Sequence, residues 1–127
     1  MPPSLEANKA TVLDFYEVGL NQRDFEAASK LIGPRYVQHN PLIADGIEGF
    51  RDFLGYLATE FPQLRAEVKS VFADGDHVIG HVHGIRVPGQ RGTAIVDIFR
   101  LEDGKIVEHW DVMQPIPEDA ANQNGMF

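Results

Sequence analysis

His81, His83 and Asp97 can move a proton, and they fall on two neighbouring stretches that both read as β-strands. Along His77–Val87 the residues alternate, so the imidazoles of His77, His81 and His83 share one face with Ile79, Ile85 and Val87. The next stretch, Thr93–Leu101, sets Asp97 among Ile95, Phe99 and Leu101 on one face. A carboxylate on an apolar face needs a partner, because burying an unpaired charge is costly. If the two strands are adjacent, a histidine across the sheet supplies that partner. A carboxyl–imidazole pair in an apolar pocket transfers protons without metal or cofactor. The same pattern also suits a satisfied polar contact in a core, or histidines on a face turned to water.

A metal site is the chemical competitor. His81 and His83 at i, i+2 share a face, and Asp97 could complete a ligand set. No cysteine and no HExxH spacing supports it, so the expectation is no metal and no cofactor. Gly46-Ile47-Glu48-Gly49 opens a helix without a preceding strand and reads as a turn, not a phosphate loop. No nucleophile elbow with a Ser–His–Asp set is present.

These residues need a scaffold, and the first half of the chain reads as helices. Ser4 is a helix N-cap, and Leu5 to about Gln22 carries a broad apolar face that includes Val12, Phe15, Tyr16 and Leu20. A short helix from Phe25 to Ile32 ends at Gly33-Pro34. Arg35 to Asn40 is extended and stops at Pro41. Asp45-Gly46 opens a third helix, about Ile47 to Phe61, with Phe50, Phe53, Leu54 and Leu57 as its core stripe. The second half reads as a four-stranded antiparallel meander: Leu64–Ala73, the histidine strand, the Asp97 strand, and Lys105–Met113 after the Asp103-Gly104 turn. Helices followed by a meander indicate an α+β domain, 1–127, with residues 118–127 as a tail that either is disordered or docks on a partner subunit. A curved sheet with the helices packed across it would enclose a cavity.

A chain of 127 residues with a formal net charge of -8 and no cysteine is one globular domain without a disulfide framework. The acidic balance argues against nucleic acid or an anionic membrane as partner. Met1-Pro2-Pro3-Ser4 does not begin a leader peptide and no apolar run reaches membrane-spanning length, so a cytoplasmic protein is expected.

The segment Asp97-Ile98-Phe99-Arg100-Leu101-Glu102-Asp103-Gly104-Lys105-Ile106-Val107-Glu108-His109-Trp110-Asp111 resembles the closing hairpin of SnoaL-like polyketide cyclases, in the nuclear transport factor 2-like superfamily. Tyr36-Val37-Gln38-His39-Asn40-Pro41, Asp45-Gly46 and Gln114-Pro115-Ile116-Pro117-Glu118 fit the same family, nearest to its SnoaL-like aldol-condensation group. The resemblance implies a cone-shaped α+β barrel of a curved, mainly antiparallel sheet, usually a homodimer joined through the outer sheet face. It implies a carbonyl substrate, small and apolar or polyketide-like, and an acid/base aldol condensation or cyclisation. Asp97 matches the family's catalytic aspartate, with His83 where its partner histidine would fall. The binding residues expected around them are His39, Asn40, His81, Trp110, Tyr16 and Phe99. A non-catalytic binding protein using the same cavity is the alternative. Trp110 depends on hairpin register: a two-residue turn at Asp103-Gly104 pairs Asp97 with Trp110, and a three-residue turn pairs it with His109. Glu108, His109 and Asp111 are expected on the outer face.

Overall fold

The computed structural model describes residues 3–127; Met1 and Pro2, where the leader-peptide reading begins, lie outside the described residues. Helix α1 spans Leu5–Phe15 and starts at Ser4, whose hydroxyl accepts the N–H of Ala7. It runs directly into a π-helical segment, Tyr16–Asn21. A short α2 follows at Phe25–Ser29, capped by Asp24. The expected helix end at Gly33-Pro34 is instead strand: β1 covers Ile32–Gln38. Gly33 fits there because an added Cβ would meet Val107 Cγ1 at 2.7 Å. Helix α3 spans Gly46–Glu60, and the strands β2 (Arg65–Asp74), β3 (His77–Ile85), β4 (Thr93–Glu102) and β5 (Lys105–Pro115) complete the chain.

The strands form one five-stranded sheet in the order β1-β5-β4-β3-β2. The meander is antiparallel as expected, and β1 adds to its edge in parallel with β5. The closed, cone-shaped barrel is not formed, and the sheet is not strongly curled. Closure would require β1 to pair with β2, yet these are the two free edges. Helices take the place of that pairing: α1 and the π segment lie against β2, and α3 lies against β1. The core between helices and sheet holds Val12, Phe15, Tyr16, Phe50, Leu54, Leu57, Val78, Val82, Phe99 and Ile106, all nearly or fully buried. Phe15 and Tyr16 both meet the ring of Phe99 edge-on, at 5.6 and 5.7 Å between centroids. No helix of the described residues is long and apolar enough to cross a membrane.

The β4–β5 hairpin decides which side chains face the helices. Asp103 (φ 50) and Gly104 (φ 76) form the two-residue turn, pairing Glu102 with Lys105. The register then shifts: Leu101 pairs with Ile106, but Arg100 pairs with Glu108, leaving Val107 as an extra residue. Beyond this bulge Asp97 lies opposite Asp111 and Phe99 opposite His109. Neither register expected from turn length alone is the one adopted. The bulge lets adjacent Ile106 and Val107 both be buried, and it turns His109 and Asp111 to the helix-covered face.

Candidate active site

Asp97 sits on the inner face of β4, 6% exposed. The hydroxyl of Tyr16 donates to its Oδ2 at 2.6 Å, and His109 Nε2 lies 2.9 Å from its Oδ1. Tyr16 heads the π-helical segment, a distortion that frequently marks functional positions in helices. Gly80, opposite Asp97 on β3, makes room for the phenol: a Cβ there would stand 2.7 Å from the Tyr16 oxygen. Burial, with the neighbouring Asp97 charge adding to it, raises the Tyr16 hydroxyl well above its ordinary value. It therefore stays protonated and serves as a fixed donor. Tyr36, deep in the same pocket, is raised chiefly by burial as well.

The orientation of His109 is set from behind. Its Nδ1 lies 2.8 Å from Gln38 Oε1, and the same oxygen accepts the backbone N–H of Asn40 at 3.0 Å. That second donor fixes which end of the Gln38 amide faces the imidazole, so His109 Nδ1 carries a hydrogen and donates it. Nε2 is thus the nitrogen that faces Asp97. The backbone N–H of Gln38 is held by Asp45 Oδ1 at 2.8 Å, which ties the end of β1 to the start of α3.

Asp111 is the second carboxyl. Asn40 Nδ2 donates to both of its oxygens, at 3.0 and 2.9 Å, while Asn40 Oδ1 accepts the N–H of Leu42. Burial raises the Asp111 carboxyl; the nearby Asp97 charge adds to this, and Asn40 and His109 oppose it. Asp97, His109 and Asp111 can offer ligand atoms within 4.8 Å of one another, the one such group among the described residues. Each of these side chains already spends its polar atoms on hydrogen bonds, an arrangement suited to holding and passing protons.

The constellation opens on a cavity of about 150 Å³ between sheet and helices, walled by apolar residues such as Phe50, Phe53, Leu57 and Ile95. That is near the volume of a cavity that admits a benzene-sized molecule (~150 Å³).

The sequence-expected residues divide between the two faces. Asp97, Tyr16 and Phe99 line the cavity, and Asn40 reaches it through Asp111. His83 is not the partner of Asp97. It pairs with Ala94 on the outer face, where its Nε2 contacts the Arg91 carbonyl at 2.7 Å. His81 is on that face too, opposite Val96, and both rings lie near Phe127, at 5.2 and 4.8 Å. The end of the tail thus docks on its own sheet. The alternation is intact, but Gly80, Val82 and Gly84 hold the inner phase of β3, so the His81–His83–Asp97 metal set cannot assemble. Trp110 is also outside: it pairs with Ile98 and stacks on His39 at 4.8 Å, the two rings nearly parallel. His39 bonds to Glu108, which with Arg100 forms an outer ion-pair network. Of the residues expected outside, Glu108 is there, while His109 and Asp111 are inside. Gln38, Tyr36, His109 and Asp111 went unnamed as site residues. The available signal for the last two was the apolar doublet Ile106-Val107, which breaks strict alternation just before them.

A fold of this kind, with a buried Tyr–Asp–His constellation at the inner face of its sheet, defines a class of α+β pocket proteins. The chain belongs to the SnoaL-like domain family, whose model matches residues 12–109. Among solved structures it is similar to a proposed polyketide cyclase from Bacillus cereus (TM-score 0.74, 18% identity, covering 84% of this chain and 74% of that one). It is also similar to AclR, a proposed hydroxylase from Streptomyces galilaeus (TM-score 0.71, 25% identity, 87% and 91% covered). A third is IdmH, a proposed polyketide cyclase from Streptomyces antibioticus (TM-score 0.68, 24% identity, 84% and 91% covered). No match is found among curated proteins.

Proposed function

We propose that the protein is a cofactor-independent acid/base enzyme that abstracts a proton alpha to a carbonyl, leading to aldol condensation or cyclisation of a small polyketide-like compound. The observation that carries the reading is the bonded set Tyr16–Asp97–His109 opening on an apolar cavity. Asp97 is the base. With Asp97 ionised, His109 Nε2 donates a hydrogen to its Oδ1 across the 2.9 Å contact and holds the carboxylate in place, and Tyr16 steadies the other carboxylate oxygen. Asp111, whose carboxyl burial holds up, is the acid that protonates the new alkoxide. Two carboxyl groups in unlike surroundings thereby divide the acid and base roles. The aromatic and aliphatic wall excludes water from the enolate. Membership of the SnoaL-like family and the likeness to proposed polyketide cyclases support the substrate class. A homodimer through the outer sheet face belongs to the same proposal; exposed Phe72 on β2 and Val112 on β5 support it.

The test is proton exchange in heavy water over a panel of 1,3-dicarbonyl and β-keto ester compounds, with binding followed in parallel. The enzyme reading expects deuterium at the alpha carbon of at least one ligand that binds. Ligands that bind without exchanging would favour a binding protein using the same cavity.

A further inference from the structure

Two arginines mark the end of the cavity away from the acid/base set. Arg65 opens β2 and Arg86 follows β3 directly, and they are the only Lys or Arg residues among those lining the cavity. Both are exposed, and neither forms a salt bridge among the described residues. The Arg86 guanidinium is seated over the Phe61 ring, 4.9 Å from its centroid, which anchors it beside the end of α3. Arg65 feels the charge of Glu17, whose carboxyl it helps to lower, without a bond between them. In a chain of formal net charge -8, two such cations at the mouth of the cavity, away from its acid/base set, form a local site for an anion.

We propose that the substrate carries an anionic group, a carboxylate in the simplest case, which Arg65 and Arg86 hold at the cavity mouth while its carbonyl end reaches Asp97. This rests on the acid/base reading of the site and adds the substrate class. The register supplies the spacing. Gly80 lies opposite Asp97 and Ile85 opposite Arg65. At a rise of about 3.3 Å per residue, five strand positions separate the two ends by about 17 Å, and the reach of the side chains leaves on the order of 10 Å for the ligand. The substrate is therefore elongated and amphipathic: an enolisable carbonyl at one end, an apolar middle and an anion at the other.

The test uses 9-oxodecanoate, whose extended chain separates ketone and carboxylate by about that distance, and its methyl ester as the uncharged control. Calorimetric affinity is measured for both with the native protein and with Arg86→Gln and Arg65→Gln, and alpha-carbon exchange in heavy water is followed for each. A charge-assisted contact should make the acid bind about ten-fold or more tightly than the ester. Each variant should reduce that preference, with the ester's affinity unchanged. Equal affinity for acid and ester, a preference that survives both substitutions, or no binding of the acid overturns the inference. The two readings fail separately. Acid preference without exchange, here and across the dicarbonyl panel, leaves the anion site standing and removes the acid/base role, whereas exchange without acid preference does the reverse.

Discussion

Gly80→Ala should break the active constellation from the opposite strand. The added Cβ would fall 2.7 Å from the Tyr16 oxygen and 3.4 Å from two of its ring carbons. Ordinary contact needs more than that, so the phenol must retreat by several tenths of an ångström. Its bond to Asp97 is 2.6 Å, within the usual range for a hydroxyl–carboxylate pair. A comparable retreat carries it past about 3.0 Å, the outer range for O–H···O bonds. Losing a hydrogen bond to a charged group in a buried setting costs about 2 kcal/mol. The expected result is a destabilisation near that size in urea or thermal unfolding, with fold and dispersity retained. A cycle with Tyr16→Phe isolates the cause. In the Tyr16→Phe background the clash with the hydroxyl is gone, so Gly80→Ala should be much closer to neutral. Equal penalties in the two backgrounds would refute the reasoning, as would a Gly80→Ala protein as stable as the native one.

Three further outcomes follow from the same geometry. Gln38→Leu removes the acceptor behind His109 Nδ1; nitrogen NMR should show the Nδ1 resonance shifted from its native position, and exchange activity should fall at least ten-fold in a protein that remains folded. Asp111 has a raised folded pKa, so its contribution to stability is fully present below the ordinary aspartate value of about 3.9 and is lost as pH rises through the folded value. Urea midpoints of native and Asp111→Asn proteins from about pH 4 to about pH 7 should show that decline in the native protein and a flatter profile in the variant. His83→Ala should leave activity within two-fold, roughly the surface-substitution range, because His83 is on the other side of the sheet; a large loss would contradict the assignment of faces.

Much of the scaffold is legible in the sequence because local signals and tertiary structure agree. Ser4 caps its helix, Asp45-Gly46 opens α3, and Asp103-Gly104 turns the last hairpin. Asp97 is identifiable as a charge on an apolar face, and Tyr16 as part of the first helix's buried stripe. The partner of Asp97 is harder to read. Both β3 and β5 carry histidines, and strand alternation states which residues share a face but not which face is covered. On β3 the small residues Gly80 and Gly84 are on the inside, so the histidines are outside. On β5 one bulge at Val107 reverses the phase, and that depends on packing rather than on turn chemistry. The missing barrel closure is likewise a matter of tertiary packing. Where helices cover a sheet, its edges need not meet, and the strand periodicity is the same in either case.

The central claim is that Asp97 is the base, and Asp97→Asn tests it most directly. Asparagine keeps the shape, so Tyr16 and His109 retain a neighbour of the same size. Alpha-carbon exchange in heavy water is compared for the native and variant proteins with a ligand that both bind, after unfolding curves have shown the variant to be folded. The account predicts that exchange is lost by about a hundred-fold or more while binding persists, in line with removal of a general base. Exchange at the native rate in the folded, ligand-binding variant would contradict it.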